Sequence, residues 1–134
     1  MTYESMVQFW SERKNVGDTV FSYPGNEDCW IGATSQIFYD SNLRPLSRGE
    51  TFYWAGCGCD LPRGTDFLSA RELFEAPIYG GKSIRDRWDE ITWHEIDGWM
   101  SEEEFDRRLG EGFVNRKYNL EFAMGRRGGK VSMV

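Results

Sequence analysis

Residues 29–57 read CWIGATSQIFYD (29–40), SNLRPLSRG (41–49) and ETFYWAGC (50–57). The outer two blocks are rich in β-branched and aromatic side chains that fit a pleated surface. The middle block gathers Ser, Asn, Pro and Gly, which set or permit the dihedrals of a chain reversal. Two strands joined by a turn predict an antiparallel hairpin. Upstream, TVFSY (19–23) followed by PGNE (24–27) repeats the pattern and extends the hairpin to a three-stranded meander.

Further out, the signals turn helical. Tyr3, Met6, Val7 and Trp10 follow i, i+3, i+4, i+7 spacing, with Thr2 placed to cap and Gly17 to stop an N-terminal helix. Beyond the meander three stretches begin with Ser and carry a carboxylate three residues on: Ser69 with Glu72, Ser83 with Asp86, and Ser101 with Glu104. This is the capping-box spacing, in which each side chain satisfies a free backbone N–H at a helix start. Ile84, Trp88 and Ile91 share a face of the second predicted helix, and Phe105 and Leu109 a face of the third; Pro77 and Gly110 end the first and third. ITWHEI (91–96) alternates as a short strand would, and Tyr118, Leu120 and Phe122 alternate within a final predicted strand over 113–124.

The expected fold class is therefore α+β. Residues 1–124 form a single domain with a three- or four-stranded antiparallel sheet, an N-terminal helix and three short helices; residues 125–134 form a basic, Gly-rich tail. A length of 134 residues suits one hydrophobic interior, and 40% hydrophobic residues are enough to build it. No run approaches the roughly 20 apolar residues needed to cross a bilayer. Three irregularly spaced cysteines suit free thiols in a reducing, cytoplasmic setting rather than a disulfide framework.

Charge is uneven along the chain. Residues 1–59 carry 4 basic and 7 acidic groups, residues 60–111 carry 7 and 14, and residues 112–134 carry 5 and 1. Between Trp88 and Asp106 stand eight carboxylates, Asp89, Glu90, Glu95, Asp97, Glu102, Glu103, Glu104 and Asp106, with no Lys or Arg among them. The middle of the chain repels nucleic acid, and the tail alone could attract it. Together with Trp88, Trp93 and Trp99, the strip predicts a surface of indole anchors rimmed by carboxylates, suited to a basic protein partner.

Other candidate sites compete with this one. Cys29, Cys57, Cys59 and His94 supply the donor types of a Cys3His zinc site or a thiol enzyme, yet CxC is an uncommon zinc spacing and nothing local brings His94 to the thiols. APIYGGKS (76–83) echoes a phosphate-binding loop, but a charged helical segment precedes it where a buried strand is needed; a turn is expected. EIDGWMSEEEF (95–105) echoes a calcium loop, but aligning Gly98 with the loop's glycine puts Trp93 at the first ligand position. Trp30, Arg48, Tyr53 and Trp54 could line a pocket for a flat anion such as a nucleotide.

The functional expectation is a non-catalytic acidic protein that blocks a basic surface, such as the nucleic-acid groove of a nuclease, in the manner of phage anti-defence or toxin-immunity proteins. It needs no cofactor or metal, and it could self-associate. A small-ligand binding domain is the first alternative and a thiol- or zinc-dependent enzyme the second.

Overall fold

The computed structural model describes residues 1–62 and 65–111; the expected final strand over 113–124 and the tail over 125–134 lie outside them. Helix α1 (Tyr3–Arg13) begins at Thr2, whose Oγ1 accepts from the Ser5 N–H at 3.1 Å while the Ser5 Oγ accepts from the Thr2 N–H at 2.9 Å. This reciprocal cap satisfies two free donors of the first turn. The helix stops before Gly17, at Lys14, which takes the left-handed conformation at φ 58°.

Strands β1 (Val16–Tyr23), β2 (Asn26–Tyr39) and β3 (Pro45–Ala55) form the expected meander. Two short strands then extend it to five: β4 (Asp66–Phe67) beside β3, and β5 (Thr92–Glu95) beside β1. The order is β4-β3-β2-β1-β5, and every pairing is antiparallel. The sheet thus exceeds the expected three or four strands, because both edges recruit brief segments from the helical half of the chain.

Helices α2 (Ala70–Glu75) and α3 (Glu102–Gly110) start at Ser69 and Ser101, whose hydroxyls accept from the N–H groups of Glu72 and Glu104. The helix expected after Ser83 does not develop. Ser83 and Asp86 cap each other at 3.0 and 3.1 Å, but after one α-type bond the backbone tightens into a 3₁₀ turn at Trp88–Glu90. Strand β5 begins two residues later and leaves no length for another helical turn.

All three helices pack on one face of the sheet. Met6, Phe9 and Trp10 of α1 meet Phe74 of α2, Phe105 of α3 and the inward strand residues Phe21, Ile31, Ala33, Tyr53 and Trp93. Edge-on ring contacts join the helices: Phe9 to Phe105 at 5.0 Å and Trp10 to Phe74 at 5.4 Å between centroids. Among the described residues no helix is long and apolar enough to cross a membrane.

Within this core lies an ion pair. Arg13 Nη2, at the end of α1, meets Asp97 Oδ2 at 2.7 Å, and both side chains are almost wholly removed from solvent. Asp97 Oδ1 accepts from the Gly17 N–H at 2.7 Å, and the Asp97 N–H donates to Thr19 Oγ1 at 3.1 Å. One residue thereby fixes the exit of α1, the start of β1 and the turn after β5. Burial pushes the Asp97 carboxyl up, against the downward pull of the Arg13 guanidinium and the Gly17 amide. Removing one partner of such a pair leaves a buried charge uncompensated, so Asp97→Ala is expected to cost about 3–5 kcal/mol. Replacing both, with Arg13→Met and Asp97→Asn, should recover part of that loss in chemical denaturation.

Candidate binding surface

Half of the eight carboxylates of residues 88–106 are ion-paired. Glu104 is held by Arg107 at 2.7 Å and Arg108 at 2.8 Å, Glu90 by Arg87 at 3.2 Å, Asp106 by the amino group of Met1 at 2.9 Å, and Asp97 by Arg13. Glu102 Oε1 accepts from the Trp93 N–H at 2.8 Å. Of the eight, Asp89, Glu95, Glu102 and Glu103 make no ion pair among the described residues.

The indoles are also largely committed to the fold. Trp93 is buried, with Phe21 5.2 Å and Trp88 5.7 Å from its centroid, and half-buried Trp88 also meets Tyr3 edge-on at 5.6 Å. Trp99 is half exposed and carries the Arg108 guanidinium over its ring at 4.6 Å. Of the expected surface, the strip thus offers one half-exposed indole, Trp99, and four carboxylates without an ion pair among the described residues. Arginines just outside its ends, and one from α1, reach in.

The thiols separate from the imidazole. Cys29 is buried on the helix-covered side, and Gly58 packs directly on it: a Cβ there would lie 2.9 Å from Cys29 Sγ and 2.6 Å from the Asp28 carbonyl oxygen. The YWAGCGCD sequence is thus the end of a strand, with a left-handed glycine at φ 89° wedged between two cysteines. Burial first, then the neighbouring Asp28 and Cys59, pushes the Cys29 thiol up to about 12. His94 lies on β5, where its Nε2 is 2.7 Å from Ser22 Oγ on β1. Among the described residues no cluster of three His, Cys, Asp or Glu side chains is placed to hold a metal ion.

The glycine-rich stretch is a tight turn. Gly80 and Gly81 take φ of 66° and 80°, and both N–H groups point to Asp60 Oδ2, at 2.9 and 3.4 Å. The anion that this backbone nest receives is the chain's own carboxylate. The Asp97–Gly98 turn is likewise engaged, its carboxylate being held by Arg13 and Gly17.

Trp30, Arg48, Tyr53 and Trp54 do not share a pocket. Tyr53 is buried on the helix side, and Arg48 opposes the buried Ile37 on that same side. The Nε and Nη2 of Arg48, which form one edge of its guanidinium, have no hydrogen-bond partner among the described residues; neither has the Tyr39 hydroxyl. Desolvation pulls Arg48 below the usual arginine range.

Trp30 and Trp54 belong instead to the opposite, helix-free face of the sheet. Trp54 opposes Gly32 and lies flat on it, so that a Cβ at Gly32 would be 2.1 Å from the ring. The Trp30 Nε1–H donates to Asp28 Oδ1 on the same strand face. Phe52 opposes Thr34, Asp66 opposes Trp54, Glu95 opposes Val20, and Val20 opposes Trp30. Directly opposed residues point to the same side of a sheet. This face therefore collects half-buried Trp30, Phe52 and Trp54, Phe38 at 49% exposure, and the carboxylates of Asp28, Asp66 and Glu95. Among the described strands, Arg48 is the sole Lys or Arg, and it points the other way.

Compared with family models, with curated proteins and with solved structures, the chain shows no match.

Two measurements check these assignments. Exposed Cys57 is expected to react first with a thiol reagent in the native state, and Cys29 only on unfolding; equal native rates would contradict the burial. Hydrogen bonds from Arg107 and Arg108 pull the Glu104 carboxyl down to about 2. Its folded value lies below its unfolded one, so the stabilisation is present above about pH 4 and fades as pH falls through about 2. Carboxyl NMR titration should show that low midpoint in the native chain and an upward move in Arg107→Ala.

Proposed function

We propose that this chain is a non-catalytic binding protein that covers a basic surface of a protein partner, with the helix-free face of the sheet as the contact. A nucleic-acid groove of a nuclease is the kind of surface meant, which makes anti-defence and immunity proteins the corresponding functional class. The observation that carries the reading is the face itself: Trp30, Phe52, Trp54 and Phe38 beside Asp28, Asp66 and Glu95, with no strand cation on that side among the described residues.

Each component has a physical role. Flat aromatic side chains exclude water over a large area while losing little rotamer freedom, and so dominate interface energies. Unneutralised carboxylates draw a basic partner by long-range attraction and set its orientation. The net charge of −6 adds a field of the same sign at a distance. The Ser22–His94 pair lies on the exposed β1–β5 edge, and among the described residues no carboxylate orients the ring's other nitrogen, so it lacks the third member of a nucleophilic triad.

The test is affinity capture of partners from cells expressing the chain, comparing wild type with two surface variants. The triple variant Asp28→Lys, Asp66→Lys, Glu95→Lys should abolish capture of a basic protein. Trp54→Ala should weaken it by about 2 kcal/mol or more, roughly thirtyfold. The variant Glu102→Lys, Glu103→Lys, Glu104→Lys should bind as wild type does, once shown to be folded. If the last variant loses the partner while the first keeps it, the contact lies on the α3 strip and the proposal for the sheet face is wrong.

A further inference from the structure

Strands β2 and β3 run past their neighbours. Strand β1 pairs with β2 only as far as Ala33, and β4 meets β3 only at Tyr53 and Trp54. Residues 34–51 thus form a two-stranded arm projecting from the sheet. Among the described residues, three of the five large hydrophobic residues that stand exposed are on it: Phe38 at 49%, Leu43 at 61% and Leu46 at 64%.

The two long edges of the arm differ. The β3 edge contains Pro45, Arg48 and Glu50 and is interrupted by a bulge between Arg48 and Thr51. Prolines, charges and bulges are the devices that stop a strand edge from pairing with another chain. The β2 edge beyond Ala33 reads TSQIFY (34–39), six residues with no charge, no Pro and no Gly, and no strand pairs with it on that side among the described residues. A short, uncharged segment of high β propensity on an open edge is a template for a further strand.

We infer that this edge pairs antiparallel with the same edge of a second copy of the chain, joining two sheets through their arms. Self-complementarity favours a second copy. An edge strand related to itself by a two-fold axis is antiparallel by symmetry, and the contact closes as a dimer instead of propagating. Charge favours it as well. The arm carries Asp40, Arg44, Arg48 and Glu50, two of each sign, so contact there avoids the repulsion that two chains of −6 would feel through their acidic faces. In this arrangement the tip of each arm, with Leu43, lies alongside the root of the other, and the two aromatic faces point the same way. One six-residue strand and a few apolar side chains fall short of the roughly 800 Å² per partner of a standard interface, so the dimer is a weak one.

The experiment is sedimentation velocity on the full chain over roughly micromolar to millimolar concentration, together with hydrogen exchange at Ser35 and Ile37, whose N–H groups face the open edge because those of Trp30 and Asp40, at alternate positions, donate on the β3 side to the carbonyls of Cys57 and Arg44. The expected result is a concentration-dependent dimer, with those amides gaining protection as it forms. The double variant Thr34→Lys, Gln36→Lys places charges on the open edge without entering the core, so it should remain monomeric at every concentration with unchanged thermal stability. A monomeric wild type would overturn the inference. So would a dimer indifferent to the lysines, or edge amides protected equally at all dilutions, which would mean that the edge is covered from within the same chain. The triple variant Asp28→Lys, Asp66→Lys, Glu95→Lys lies outside the arm and should keep the dimer while losing the basic partner, which separates this inference from the proposed function.

Discussion

The buried pair of Arg13 and Asp97 holds the two halves of the molecule in register. It sits where the first helix hands over to the first strand and where the last strand turns toward the last helix. The hydrophobic layers would collapse without it, since aromatic burial is non-directional. What the pair adds is alignment: a guanidinium and a carboxylate sealed from water tolerate little displacement, and the Gly17 and Thr19 bonds tie the β1 backbone to the same point. Strand β5 is four residues long and lies at the sheet edge, so its position depends on this anchorage as much as on its own ladder with β1.

One-sided packing follows from how the chain is ordered. The first helix precedes the meander and the others follow it, and all bury their apolar stripes on the face that carries Phe21, Ile31 and Tyr53. The opposite face keeps its indoles only partly covered. Phe38 at the root of the arm tip continues that aromatic surface outward, so the face proposed to meet a basic partner and the arm proposed to meet a second copy are adjacent yet distinct in charge. The first is acidic with no strand cation among the described residues, and the second is balanced.

Much of the fold was legible because local signals agree with the tertiary outcome. Alternation in 29–57 and the turn residues between its blocks specify the hairpin, and Ser69 and Ser101 mark two helix starts. The binding surface was less legible, for three identifiable reasons. Tyr53 and Trp54 are neighbours on a strand, so alternation alone already separates them, and grouping them in one pocket ignored that period. Arg48 has the parity of Trp54, but the bulge between Arg48 and Thr51 turns it to the other face, and nothing short of the pairing register reveals a bulge. The acidic strip was less legible because charge counting within a window cannot see Arg13, 84 positions from Asp97, or the Trp93 backbone N–H that donates to Glu102. The pairing of Glu104 with Arg107 and Arg108 was visible as i+3 and i+4 spacing once a helix was expected there.

Leu43 adopts a left-handed backbone at φ 60° on the turn between β2 and β3, with most of its side chain in water. Glycine or asparagine would relax that conformation, and a polar residue would suit the solvent. A branched aliphatic group held in an unfavourable dihedral at an extremity, with nothing in the described chain to shield it, is a poor choice for an isolated molecule. It becomes a sensible one when the extremity is habitually in contact with something else. The reversal that a folding argument would treat as mere connection is, on this account, the part of the surface whose chemistry has been set by its neighbours outside the chain.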